Sequence, residues 1–315
     1  MSRFSFPVAV LVALSPLALA EAANPSPAAK GLAVNIPVVG RLTGSGGILF
    51  KTAIDVSNNT GTAAQVDFHL VATAGASPIA VDGSISSSGT LVARGLGGTV
   101  RGHFNYHSDD FVDALVHAGM ISASQESAGV LGSVRFVFNG FSKSGQGSAA
   151  ANFYRDLSAG GVVGTIGVSA TGHEISANEP VRLVGTFRNT LGKAGPQVYP
   201  NLFINNMGVT PVTSNAPCDS CQQAAAATAV DVQISAYSNT TGNPIGVTKT
   251  VSGIAPGQTT VFGNVLSALS VPSSEDTVLV YVTIVSGNAT IAALAVQVDN
   301  GTHDSTSVEM HRADL

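Results

Sequence analysis

Ile54-Asp55-Val56-Ser57-Asn58-Asn59 reads as a strand closing on asparagine, and the same close returns as Phe203-Ile204-Asn205-Asn206, an offset of 148 between Asn58 and Asn206. Elements on either side repeat in the same order. A short helical stretch, Ser108 to Leu115, recurs as Phe262 to Leu269, an offset of 154 between Leu115 and Leu269. The strand ending Phe138-Asn139-Gly140 recurs ending Val285-Ser286-Gly287, offset by 147, and the one ending Tyr154-Arg155-Asp156 recurs as Gln297-Val298-Asp299, offset by 143. Four elements in one order at nearly constant spacing predict two copies of one unit.

The units are built of strands. Apolar residues alternate with polar ones in Phe50 to Val56, in Gln65 to Leu70, in Val134-Arg135-Phe136, in Val230 to Ile234 and in Leu294 to Val298, the period-two pattern of half-buried strands. Val278 to Val285 is apolar on both faces and predicts a central strand. Turn residues such as Asn59-Thr60-Gly61, Asp82-Gly83 and Pro256-Gly257 separate the runs. The fold expected is all-β: two tandem antiparallel β-sandwich (Ig-like) modules, each with one short helix. An outer-membrane barrel is the rival, but it wants aromatic girdles, and aromatic residues are 6% of the chain. Ser108 is a candidate cap for the first helix and Gly119 a stop; Thr259 or Thr260 and Pro272 play those parts in the second.

Arg3 followed by an apolar run from Phe6 to Ala20 and small residues at Ala18, Ala20 and Ala22 has the layout of a secretory signal peptide. The expected division is signal peptide 1–22, first module 23–175 and second module 176–315. An exported protein with no transmembrane segment after signal cleavage follows: extracellular, at the cell surface or periplasmic. Charged residues are 10% of the chain, net charge is −5, and no Lys/Arg cluster exists, so no nucleic-acid partner is expected.

Few residues carry candidate chemistry. Cys218-Asp219-Ser220-Cys221 is a lone CxxC; it lacks the other ligands of a zinc site and reads as a local disulfide between Cys218 and Cys221 in an exported protein. His103 and His107, with Asp109, are the densest group of potential metal ligands. On one strand the two histidines would stand about 13 Å apart, so chelation needs a turn or helix there. The same residues also read as exposed polar groups leading into a helix. Asp299-Asn300-Gly301-Thr302-His303-Asp304 puts Asp299 and Asp304 on one loop, where calcium is the ion hard oxygen ligands would take; a plain Asx turn is the competing reading. No G-x-S-x-G, P-loop or HExxH occurs, and no catalytic residue or cofactor is assigned.

The stretch from Ile36-Pro37 through Gly44-Ser45-Gly46-Gly47 and Phe50-Lys51-Thr52 to Asn58, with Asn264-Val265-Leu266 and the Val298 to Asp304 ending, resembles a group of exported bacterial proteins of unknown function. The resemblance implies tandem β-sandwich architecture and export, and it brings no catalytic residues. The function expected is a non-catalytic structural, adhesive or surface-assembly component with a protein or cell-surface partner, self-association included. The alternatives are an extracellular metal-dependent or hydrolytic enzyme with its site in the first module, or a ligand-binding module.

Overall fold

A computed structural model describes residues 31–43, 49–143, 145–156, 167–168, 174–176, 181–207, 228–299, 305–308 and 310–314. Residues 1–22, Cys218, Cys221 and Asp304 lie outside the described residues.

The first module opens with β1 (Gly31–Thr43) and β2 (Leu49–Asn58), followed by β3 (Gln65–Ala74), β4 (Ser77–Ile85), β5 (Leu91–Ala93) and β6 (Asn105–Ser108). Two helices, α1 (Phe111–His117) and α2 (Ala123–Ser127), lead to β7 (Val130–Asn139), β8 (Gly147–Asp156) and β9 (Gly167–Val168). One sheet runs β5-β4-β3-β7-β1; the other holds β2, β8 and β9, with β6 on β2, and every pair is antiparallel. β1 serves both, because a bulge between Ile36 and Val39 bends it toward β2, which it meets at Leu42 and Thr43. Thr52, fully buried on β2, donates to the Gly40 carbonyl and accepts from its N–H, fixing the crossing.

The second module repeats this plan. Its strands are β10 (Glu174–Ser176), β11 (Val181–Arg188), β12 (Val198–Asn206), β13 (Val230–Ser238), β14 (Pro244–Ile254) and β15 (Thr259–Phe262), then α3 (Val265–Ala268), β16 (Thr277–Ser286), β17 (Thr290–Asp299), β18 (Ser305–Val308) and β19 (His311–Asp314). Its sheets are β14-β13-β16-β11-β19 and β10-β17-β12-β15, with β18 also on β17. Strand for strand, β14-β13-β16-β11 matches β4-β3-β7-β1, and β17-β12-β15 matches β8-β2-β6. The sheets face each other as sandwiches and do not close into a barrel. β9 is the last strand to pair within the first set and β10 the first to pair within the second.

Each module hides its own core. In the first, Phe68, Phe111 and Phe136 pack ring against ring at 5.7–6.1 Å between centroids. In the second the interior is mostly aliphatic around Ile234, Val280, Val282 and Leu266, with Phe187 its one fully buried ring among the described residues. A third cluster joins them: Val38, Phe50 and Phe153 of the first module meet Phe203, Leu294 and Val296 of the second, with Phe153 edge-on to Phe203 at 6.2 Å. This explains why β17 is buried from Thr290 to Val296. Ile291, Ala293 and Ala295 face its own core, whereas Leu294 and Val296 face the joint.

Three expectations need adjusting. β16 is central in its sheet, but only one of its faces is sealed; Leu279, Tyr281 and Thr283 on the other are half-exposed. The first module carries α2 besides α1, introduced by a capping box in which Ser122 and Gln125 exchange hydrogen bonds. The caps also shift. Ser108 ends β6, and Asp110 caps α1 by accepting from the Asp113 N–H; Thr259 and Thr260 belong to β15, and Asn264 caps α3. In both cases the preceding strand claims the hydroxyl residue, because its β-pairing continues up to the helix. Gly119 does follow α1 with φ +71°, a conformation that costs glycine least.

Candidate functional site

The repeated asparagines come first, because the register sets them. Asn58 ends β2 and is buried. Its amide donates to the Thr62 and Arg101 carbonyls at 2.8 and 3.0 Å, and its oxygen accepts from the Thr60 N–H and hydroxyl. Asn206 ends β12, equally buried, and donates to the Thr228 and Ile254 carbonyls at 3.0 and 2.9 Å. Both backbones are held in the same way, Asn58 N–H to Phe104 O and Asn206 N–H to Gln258 O. Asn58 thus ties together two loops, and Asn206 ties the loop at Thr228 to the end of β14.

A second feature recurs near the starts of β3 and β13. Asp67 accepts from Ser84 on β4 and Asn139 on β7; Asp231 accepts from the Gly253 N–H on β14 and Ser286 on β16. The hydrogen bond from Ser286, then that from Gly253, holds the Asp231 carboxyl below its usual range. Neither aspartate is singled out by the sequence alone.

His107 lies in β6, whose register sets it directly opposite Asp55 of β2. Its Nδ1 is 2.9 Å from an Asp55 oxygen and its Nε2 2.9 Å from an Asp109 oxygen. Tyr154 of β8 donates to the Asp109 carbonyl at 2.7 Å. Two carboxylates on one ring favour the imidazolium, so Asp109 first and Asp55 second push the His107 pKa upward. A ring held at both nitrogens is fixed in orientation, with neither nitrogen free to act as a base. His103 sits instead in the turn before β6, at φ 55°, with its N–H on the Thr60 carbonyl. The structure thus brings His107 and Asp109 together, adds Asp55, and leaves His103 apart. Among the described residues no group of three or more His, Cys, Asp or Glu side chains is arranged to hold a metal ion. Asp299 lies at the end of β17 opposite Val198.

An ionic cluster closes the lower end of the first sandwich. Arg41, just past the β1 bulge, binds Asp110 through Nη1 and Glu126 through Nε, so one guanidinium ties the α1 cap and α2 to the strand. It forms one wall of a 630 Å³ cleft that Leu42, Thr73, Leu131 and, from the second module, Thr259 also line. The sequence signal that could have marked this cluster was the lone Arg41 among apolar neighbours. On the outer face of the second module's larger sheet, the Arg182 guanidinium lies 3.9 Å from the centre of the Tyr281 ring, and Tyr237 meets Tyr281 edge-on at 5.0 Å.

No family model matches the chain. No curated protein matches it either. Among solved structures, a chain from the structure of infectious bursal disease virus Gt strain aligns with 91% of this chain and 77% of its own at 10% identity, with a TM-score of 0.17. A score that low carries no argument for fold or role. Among the described residues no helix is long and apolar enough to cross a membrane.

Proposed function

We propose that this is a non-catalytic exported protein, a structural, adhesive or surface-assembly component whose partner is a protein or a cell surface. One observation carries the reading: the strongest polar groups of the fold are spent on the fold. Asn58 and Asn206 clamp loops, Asp67 and Asp231 clamp strand starts, Arg41 is held by two carboxylates, and His107 is engaged at both nitrogens. Export rests on the signal-like N-terminus and the resemblance to exported bacterial proteins. The low charge density supports assembly, because a surface of Ser, Thr, Asn and Gly repels neighbours weakly.

The test measures self-association of the chain lacking residues 1–22, together with its retention on intact cells and extracellular matrix material. Association or retention is expected. A strictly monomeric protein that binds neither would contradict the reading, as would a metal-dependent or hydrolytic activity lost in His103→Ala or His107→Ala.

A further inference from the structure

The two modules differ at one sheet edge. In the second, the chain leaves β18, buries Met310 in the core and adds β19 to β11, pairing Arg182 with Ala313 and Leu183 with Arg312. In the first, the chain leaves β9 and becomes β10 of the other module. The matching edge, Gly31–Asn35 of β1, therefore has β7 on one side and no strand on the other among the described residues. The side chains record the difference. Leu183 is fully buried, whereas Val34, which occupies the same place opposite β7, is only partly so, as is Leu32.

An exposed edge is a template for pairing unless it is blunted. β14, which ends the second module's sheet, is blunted: it carries Lys249 and two register irregularities against β13. Gly31-Leu32-Ala33-Val34-Asn35 has no charge, no proline and no bulge.

We infer that two copies of the chain pair through this edge, antiparallel about Ala33. The inference rests on the assembly reading above and names its partner. The segment is self-complementary in that register. Leu32 falls opposite Val34 of the second copy on the core face, so each covers the other's exposed part. Ala33 faces Ala33 of the second copy and Gly31 faces Asn35 on the outer face, with no like charges opposed. Both chains keep their internal strand pairs, and the two β1-containing sheets become one. Five residues a side make a small interface, so the dimer is weak and dissociates on dilution.

Sedimentation equilibrium on the chain lacking residues 1–22 tests this, with Ala33→Lys and Ala33→Asp. Each variant should dissociate at least about tenfold more readily than the wild type, because like charges then face each other across the axis. An equimolar mixture of the two should recover the dimer, which also shows that both are folded. Dimerisation unchanged in both variants would overturn the inference while leaving assembly intact, since the interface would lie elsewhere. A wild-type chain that stays monomeric yet binds cells or matrix would do the same. A monomer that binds nothing would overturn both.

Discussion

The end of β1 in the first module is tied down by charge, and the end of β11 in the second by a neutral amide. Arg41 reaches two carboxylates, Asp110 and Glu126. Asn189, just past β11 and buried, donates to the carbonyls of Pro272 and Glu275 at 3.0 and 2.9 Å and accepts from the Leu191 N–H. The backbone plan demands a tie at this point, and two chemistries meet the demand. The difference teaches where the copies are free to diverge. Strand order and the clamping asparagines are held in common, while the residues around helices, sheet edges and the aromatic content of the core are not.

The comparison breaks most visibly in the cores. Phe136→Ala removes one of three mutually packed rings and should cost about 3–5 kcal/mol; Val282→Ala, on the matching strand of the aliphatic core, should cost about 1–3 kcal/mol. Urea unfolding of both variants measures the gap. Equal losses would contradict this, because the ring deletion removes far more buried volume.

The anchors come next. Arg41→Ala leaves the Asp110 and Glu126 carboxylates, 11% and 19% exposed, without their cation and should cost about 3 kcal/mol or more; Asn189→Ala should cost about 1–3 kcal/mol. Adding Asp110→Asn and Glu126→Gln to Arg41→Ala should recover part of the loss, because the stranded charges are then gone. No recovery would show that the guanidinium acts through packing instead.

The smallest effect belongs to His107. Its pKa is raised in the folded chain, so its contribution is complete below the ordinary histidine value and fades as pH rises through the folded one. His107→Gln should therefore melt below the wild type at pH 5 and match it at pH 9, by a margin that solvent screening keeps small. Asp82 runs the other way. His69, 2.8 Å away, lowers its pKa, so that contribution is present above the ordinary carboxylate value and is lost as pH falls through the folded one. Thermal melts of His69→Gln across pH 2–6 should converge with the wild type at the acid end.

Much of the architecture was legible in the residues themselves. The alternation around Phe68, Phe136 and Ile234 marks half-buried strands, and the Asn58/Asn206 offset marks equivalent strand ends. β17 was harder, because Leu294 and Val296 face another module rather than solvent, and alternation cannot tell one apolar surrounding from another. The polar clusters were the least legible. Asp55 meets His107 across a strand pair, and Arg41 meets Glu126 across 85 positions, so only register and the β1 bulge bring them together. His103 and His107 looked like partners because they are near in sequence; a single turn at φ 55° separates their roles.

The central claim is that one structural unit occurs twice, clamped at the same place in each copy. Equilibrium unfolding of Asn58→Ala beside Asn206→Ala tests it most directly. Each substitution removes two amide hydrogen bonds to carbonyls at a junction of the fold, and each should cost about 2–4 kcal/mol, with the two losses alike. A large loss from one substitution and none from the other would contradict the claim.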